Sequence, residues 1–175
     1  MEEFLRDNYS LLIRFVEIMA AVTGLLLVKK YRDSSVKYFI YFLVYIAILE
    51  LIGGYPTYLA NYDFLKDYKI AVKGTFLERN YWWYNIFWEI GSVLFYSFYF
   101  INILKTKFYI KLIKFTSITF FLSSIIYIAI HWSELFTTTI PFNSIFGAIV
   151  IMMCVILYFI EILQSNSILM FYKSI

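Results

Sequence analysis

Cysteine, histidine and proline are scarce in this sequence, and each shortage narrows the class of protein. The 175 residues include one cysteine, one histidine (His131) and two prolines. A single cysteine rules out an internal disulfide framework. A single histidine excludes a haem held by two imidazoles. Glutamates together with His131 could in principle bind zinc, but no pair has the ligand spacing of a motif such as HExxH. The sequence therefore predicts no cofactor, no metal and no enzyme.

Charged residues are also scarce. They make up 15% of the chain, against 62% hydrophobic residues, and the mean hydropathy is +0.75. Soluble domains carry about 25% charged residues, so a soluble globular class is excluded. The net charge is +3, but the basic residues lie in short loops beside apolar runs, which does not indicate nucleic-acid binding. We expect one all-α domain over residues 1–175, multi-pass in the plasma (inner) membrane.

Long apolar runs predict five transmembrane helices, because about 20 apolar residues cross a ~30 Å hydrocarbon core. The predicted spans are 9–28, 38–55, 81–104, 113–132 and 143–163. Gly53, Gly54 and Pro56 are interpreted as the stop of the second span. A short interfacial helix is predicted over 63–72. Residues 1–8 form a polar arm and 168–172 a short apolar tail.

The basic residues of the loops predict the orientation of these spans. The first connector contains Lys29, Lys30, Arg32 and Lys37, and the third contains Lys105, Lys107, Lys111 and Lys114. The last connector contains no Lys or Arg. Since cytoplasmic loops carry the excess of Lys and Arg, we expect the N-terminus outside and the C-terminus inside.

The third span carries a polar stripe on an otherwise apolar helix. Asn85, Glu89, Ser92, Tyr96 and Tyr99 recur at i, i+4, i+7, i+11 and i+14, a spacing that places them on one helical face. Lipid offers these side chains no hydrogen-bond partner, so the stripe is expected to face other helices or a wet cavity. A carboxylate at membrane depth indicates a functional site.

Ionisable residues of four spans are expected to share the outer half of the membrane. They are Arg14, Glu17, Glu50, Glu89 and His131. At about 1.5 Å per residue, Glu17 lies about 12 Å and Glu50 about 9 Å below the outer end of its span. Together with Asn85 they are predicted to line one outward-facing cavity. The other interpretation is that each acid joins helices through a Tyr or Ser hydroxyl, with Arg14 and Glu17 as an ion pair.

Further polar residues extend this polar seam into the last two spans. They are Ser124, Tyr127, Tyr158 and Glu161. Glu161 is expected near the lysines of the inner surface, where it is interpreted as a paired interfacial acid. If the seam conducts ions, Glu161 would instead be the inner end of the path. No motif orients Ser92 toward His131, so no catalytic residue is predicted.

The leading hypothesis for function is a sensor or receptor-like subunit that binds a small cation or polar ligand. Binding would be relayed along Ser92, Tyr96 and Tyr99 toward the inner loops. The alternative hypothesis is a homo-oligomeric pore or permeabilising effector, in which the tyrosine-rich stripes form subunit contacts. The expected partners are the lipid bilayer and either further copies of the chain or another membrane signalling protein.

The third to fifth spans resemble those of a loose group of small bacterial membrane proteins with about seven spans. In that group an Asn opens the third span with a Glu four residues on, here Asn85 and Glu89, and a Glu closes the fifth, here Glu161. The resemblance covers about 81–167 and implies a partnership with a sensory signalling system. This sequence ends at Ile175, where a sixth span begins in the group, so both a five-span protein and a missing helix pair are open.

Overall fold

The structure, a computed structural model, describes residues 9–164 and is all-α over that range, as predicted. The helices are α1 (Tyr9–Leu27), α2 (Val36–Gly53), α3 (Tyr55–Asn61), α4 (Lys66–Val72), α5 (Tyr81–Ile103), α6 (Lys107–Ile130), α7 (Glu134–Thr137) and α8 (Pro141–Gln164). The predicted polar arm (1–8) and apolar tail (168–172) lie outside the described residues.

Four helical segments of the described range are long and apolar enough to cross a membrane. They are Val36–Asn61, Tyr81–Ile103, Lys107–Ile130 and Pro141–Gln164. These segments correspond to the second to fifth predicted spans, whose helical character is confirmed. The first predicted span coincides with α1, which has 19 residues. That α1 also crosses, and that the N-terminus lies outside, stay predictions.

The predicted stop at Gly53–Gly54 holds for helix α2, but the candidate span as a whole continues to Asn61. Although α2 ends at Gly53, Gly54 keeps helical backbone angles (φ −72°, ψ −1°), and α3 begins at the next residue. Pro56 lies in the first turn of α3, where proline is tolerated because the first N–H groups of a helix have no partner within it. The two glycines therefore join two helical segments instead of ending the span.

The fourth predicted span also begins earlier than residue 113. Helix α6 starts at Lys107 after Thr106, whose backbone is extended (φ −72°, ψ 110°). Three lysines that were assigned to the connector, Lys107, Lys111 and Lys114, are therefore helical. Their long aliphatic stems allow the ammonium groups to reach water from a helix end. The helix predicted over 63–72 is present as a 3₁₀ turn, Asp63–Leu65, followed by α4; its interfacial position stays a prediction.

The N-terminal half of α5 contains a π-helix. Residues Tyr84–Ile90 adopt this wider turn between α-helical segments at Tyr81–Trp83 and Gly91–Ile103. The i→i+5 hydrogen bonds of a π-helix add a residue to the turn. The α-helical period assumed for the polar stripe of the third span therefore does not hold between Asn85 and Glu89, and the two side chains acquire separate environments.

The chain divides into two compact units. The first extends to Trp88 and includes Phe136–Thr138. Within it α1 packs along α2, and a Cβ placed on Gly24 would lie 3.0 Å from Cγ2 of Ile40. Small residues allow helices to approach closely in a membrane. Gly24 thus lets α1 and α2 approach each other closely.

The second unit consists of Glu89–Leu135 and the chain from Thr139 onward. Its apolar core contains Ile113, Phe120 and Cys154, each with no exposed surface. A Cβ on Gly147 would lie 2.7 Å from Val93 and 3.6 Å from Phe120. The absence of a side chain at Gly147 thus lets three helices meet.

Candidate functional site

Side-chain hydrogen bonds join α2 to the residues that open α5, all within the first unit. They connect Asn80 Nδ2 to the Gly53 carbonyl oxygen (2.6 Å), Trp83 Nε1 to the Leu49 carbonyl oxygen (3.1 Å), Tyr84 Oη to Glu50 Oε2 (2.8 Å) and Tyr45 Oη to the Phe87 carbonyl oxygen. Several of these groups belong to the π-helical turn. The bonds satisfy polar groups that lipid could not satisfy, and they hold Glu50 in a fixed position.

The Gly53–Gly54 pair gives this region its close packing. A Cβ on Gly53 would lie 2.9 Å from Cδ1 of Trp83, and one on Gly54 would lie 2.6 Å from Nη2 of Arg14 and 2.9 Å from the Tyr58 hydroxyl. Glycine is therefore required for the contact with the indole ring. The missing side chain at Gly54 likewise lets the Arg14 guanidinium lie against the backbone at the junction of α2 and α3.

Arg14 contacts an aromatic side chain and not a carboxylate. Its Nη1 donates to the Tyr58 hydroxyl (3.3 Å), and its guanidinium carbon lies 5.3 Å from the centre of the Tyr58 ring. Over residues 9–164 no ion pair joins Arg14 to Glu17. A direct Arg14–Glu17 salt bridge is therefore not formed in the described range, although the charge of Arg14 still acts on Glu17. The helix that continues past Gly54 offers Tyr58 to the guanidinium instead.

Glu17 and Glu50 lie within range of each other's charge. The charges of Glu50 and Arg14 both act on Glu17, and the charges of all three residues act on the Tyr84 hydroxyl. We name Arg14, Glu17, Glu50, Tyr58 and Tyr84 the outer acid cluster. With both acids ionised it contains two negative charges and one positive charge.

Glu17 is the incompletely satisfied member of the outer acid cluster. Its Oε2 atom is buried and has no hydrogen-bond partner among the described residues. Glu50, by contrast, accepts from Tyr84. A buried carboxylate oxygen without a donor is costly. A bound cation or an N–H donor placed beside this oxygen would remove that cost and also screen the repulsion from Glu50.

Asn85 is fully buried within the first unit. Its Nδ2 donates to the carbonyl oxygen of Thr138 (2.9 Å). The amide therefore binds backbone from the connector between α7 and α8. This contact explains the presence of a polar residue at this depth without a ligand.

Glu89 belongs to the second unit and faces a serine. The Ser144 hydroxyl oxygen lies 2.7 Å and 2.8 Å from the two carboxyl oxygens of Glu89. Ser144 was not among the predicted site residues. The signal for it was the Asn143–Ser144 pair in the first turn of a helix that is otherwise strongly apolar. Glu89 thus has the hydroxyl partner that the helix-joining interpretation expects.

Several small polar side chains lie in the interior of the second unit. Ser124 and Asn143 have no exposed surface, and Ser92 is 9% exposed. The polar side-chain atoms of all three are buried without a hydrogen-bond partner in the part of the chain that the structure describes. Ser92 and Ser124 were predicted to face inward, whereas Asn143 was not among the predicted residues, although it forms a polar pair with Ser144.

The remaining residues of the predicted seam have aromatic neighbours. The His131 ring stacks on Tyr127 at 4.2 Å between ring centres, and its Nδ1 lies 3.2 Å from the Tyr127 carbonyl oxygen. Tyr96 and Tyr99 pack against the core of the second unit. Tyr158 packs on Phe100, with ring centres 5.7 Å apart.

Glu161 accepts hydrogen bonds from backbone. Its two carboxyl oxygens each lie 2.8 Å from a backbone nitrogen, one of Lys105 and one of Thr106. These N–H groups precede the first turn of α6, and the Thr106 side chain makes no capping bond there. Glu161 therefore caps α6 from a distance of 55 residues along the chain, in addition to lying near lysines as expected.

The predicted site residues are thus distributed over both units. Arg14, Glu17, Glu50 and Asn85 belong to the first, and Glu89 and His131 belong to the second. A single cavity lined by all of them stays a prediction. Among the described residues no group of three or more His, Cys, Asp or Glu side chains could hold a metal ion. Comparisons with family models, with curated proteins and with solved structures give no match for this chain.

Proposed function

We propose that this chain is a multi-pass membrane protein with five spans and an outside N-terminus, and that it acts as a non-enzymatic sensor or receptor-like subunit. Its ligand is a small cation or the ammonium group of a small amine, and it binds at the outer acid cluster. Helices α2, α5, α6 and α8 support the membrane setting by their length and composition. The transmitted signal goes to a further copy of the chain or to a membrane signalling protein.

The observation that carries this proposal is the buried Oε2 atom of Glu17, which lacks a hydrogen-bond partner within residues 9–164. Glu50 repels it, and the nearby guanidinium of Arg14 binds Tyr58. A cation at this place neutralises the excess negative charge and supplies the missing partner. Carboxylate oxygens are suitable ligands for hard cations, and they also accept charge-assisted hydrogen bonds from an ammonium group.

Ligand-dependent thermal unfolding of the purified protein in detergent tests the site. The probes are Na⁺, Ca²⁺ and methylammonium chloride, compared at constant ionic strength. A ligand at 100 times its Kd stabilises the folded state by about 2.7 kcal/mol. We expect one probe to raise the Tm of the native chain and to lose its effect in Glu17→Gln.

The matched control is Asp67→Asn, which removes an exposed carboxylate from α4. It should respond to the probe as the native chain does. An equal response of the native chain and Glu17→Gln to every probe would overturn the site. Cation flux through liposomes that contain the native chain would instead favour the pore hypothesis.

A further inference from the structure

An apolar groove runs between α1 and α2 in the first unit. Its volume is about 640 Å³, within the ~300–1,000 Å³ of small-molecule sites. The side chains lining it are almost entirely apolar, among them Phe15, Met19 and Leu43. Ala20 and Gly24 form part of its floor, where α1 and α2 approach each other closely. A polar ligand would find almost no hydrogen-bond partner along these walls.

One end of the groove meets a basic loop. Tyr31 and Val36 line this end. The loop between α1 and α2 carries three exposed basic residues, Lys29, Lys30 and Arg32, and one acid, Asp33. Lys30 Nζ lies 5.8 Å from the centre of the Tyr31 ring. The groove therefore combines an apolar body with positive charge at a single end.

We infer that this groove binds an anionic phospholipid, with one acyl chain along α1 and α2 and the phosphate beside Lys29, Lys30 and Arg32. The inference depends on the proposed membrane setting but not on the outer acid cluster. An acyl chain in the groove has surroundings as apolar as those in the bilayer, so its burial alone gives little preference for the groove over bulk lipid. Preference for this lipid comes from the charges, since basic residues at a membrane surface attract anionic headgroups.

The internal contacts of the loop support a fixed headgroup position. Lys37 Nζ donates to the carbonyl oxygen of Arg32 (2.9 Å) and also lies 5.2 Å from the centre of the Tyr38 ring. Lys37 is thus occupied in holding the loop against the start of α2. The three exposed cations remain available to oxygen atoms of a phosphate group, which bind Lys and Arg well.

Native mass spectrometry of the detergent-solubilised chain, titrated with phosphatidylglycerol, tests this inference. Phosphatidylcholine is the neutral reference, and glycerol 3-phosphate is the headgroup without chains. We expect one phosphatidylglycerol to bind more tightly than phosphatidylcholine, and glycerol 3-phosphate to bind far more weakly. Removal of the three charges (Lys29→Gln, Lys30→Gln, Arg32→Gln) should weaken binding roughly fivefold per charge.

The matched control removes three exposed lysines of α6 instead (Lys107→Gln, Lys111→Gln, Lys114→Gln) and should retain binding. Ala20→Phe, which fills the groove, should abolish it, whereas Ala148→Phe at an exposed position of α8 should not. The inference would be overturned if both triple variants lost the same phosphatidylglycerol affinity, or if the native chain bound both lipids equally well. If the native chain is a dimer, Ala20→Phe makes it monomeric and neither lipid is preferred, the groove is instead the contact surface for a second copy of the chain. Glu17→Gln should keep lipid binding, which separates this result from failure of the cation site.

Discussion

Glu161 provides the clearest quantitative prediction, because two backbone N–H groups donate to its carboxyl oxygens. Each carboxyl oxygen accepts one bond of 2.8 Å, from the N–H of Lys105 or of Thr106. Loss of an N-terminal cap costs about 0.5–2 kcal/mol, and a hydrogen bond contributes about 1 kcal/mol net. Both donors become accessible to water when the carboxylate is removed, which limits the loss. Glu161→Ala should therefore lower the free energy of unfolding by about 2 kcal/mol.

If Glu161 instead formed a simple ion pair with a lysine side chain, the variants would be destabilised in a different order. In that case Lys105→Gln would destabilise the protein as much as Glu161→Ala does. The backbone cap predicts a change within about 0.5 kcal/mol for Lys105→Gln, as for an ordinary surface substitution, since its N–H remains. Glu161→Gln should destabilise the protein more than Lys105→Gln and less than Glu161→Ala, because the amide keeps one oxygen that can accept a hydrogen bond. Unfolding of the three variants in a series of SDS concentrations measures these differences, and a larger effect of Lys105→Gln would refute the reasoning.

Two further predictions concern the second unit. Gly147→Val should cost about 1–3 kcal/mol of unfolding free energy by overpacking, because a Cβ there lies 2.7 Å from Val93; the exposed neighbour Ala148→Val is the control, and a similar loss in both variants would contradict the packing argument. A double-mutant cycle of Glu89→Gln and Ser144→Ala should give a coupling energy of about 0.5–3 kcal/mol if their contact joins helices. If the free-energy changes of the two single variants in SDS unfolding add to within about 0.5 kcal/mol, the contact does not join the helices. Glu89 would then be available for a ligand-dependent response.

The positions of the long helices could be predicted from sequence because their signal is local. An apolar run of about 20 residues predicts a span whatever its neighbours are, and α5 and α8 begin and end within two residues of their predicted bounds. The start of α6 was missed because lysines were interpreted as a connector. Basic residues are compatible with a helix end when their stems reach the interface, so charge alone does not locate a helix terminus.

The π-helix in α5 could not be predicted, and it changes which residues share a face. A π turn depends on tertiary contacts such as the bond from the Tyr45 hydroxyl to the Phe87 carbonyl oxygen, which joins residues 42 positions apart. Helical periodicity contains no information about such a partner. The relative axial positions of two helices are likewise invisible in one sequence. For this reason Ser144 and Tyr84, the hydroxyl partners of Glu89 and Glu50, were not recognised.

The acids of the long helices differ in how well their carboxyl oxygens are satisfied by hydrogen-bond donors. Glu161 is satisfied by two backbone N–H groups, Glu89 by a serine hydroxyl and Glu50 by a phenol. Glu17 retains a buried oxygen without a donor in the described range. The free-energy gain from a new partner is greatest where a buried polar atom has none. Its position in the sequence made Glu89 the most prominent acid, but the contacts favour Glu17 as the residue at which a bound cation would stabilise the folded state most.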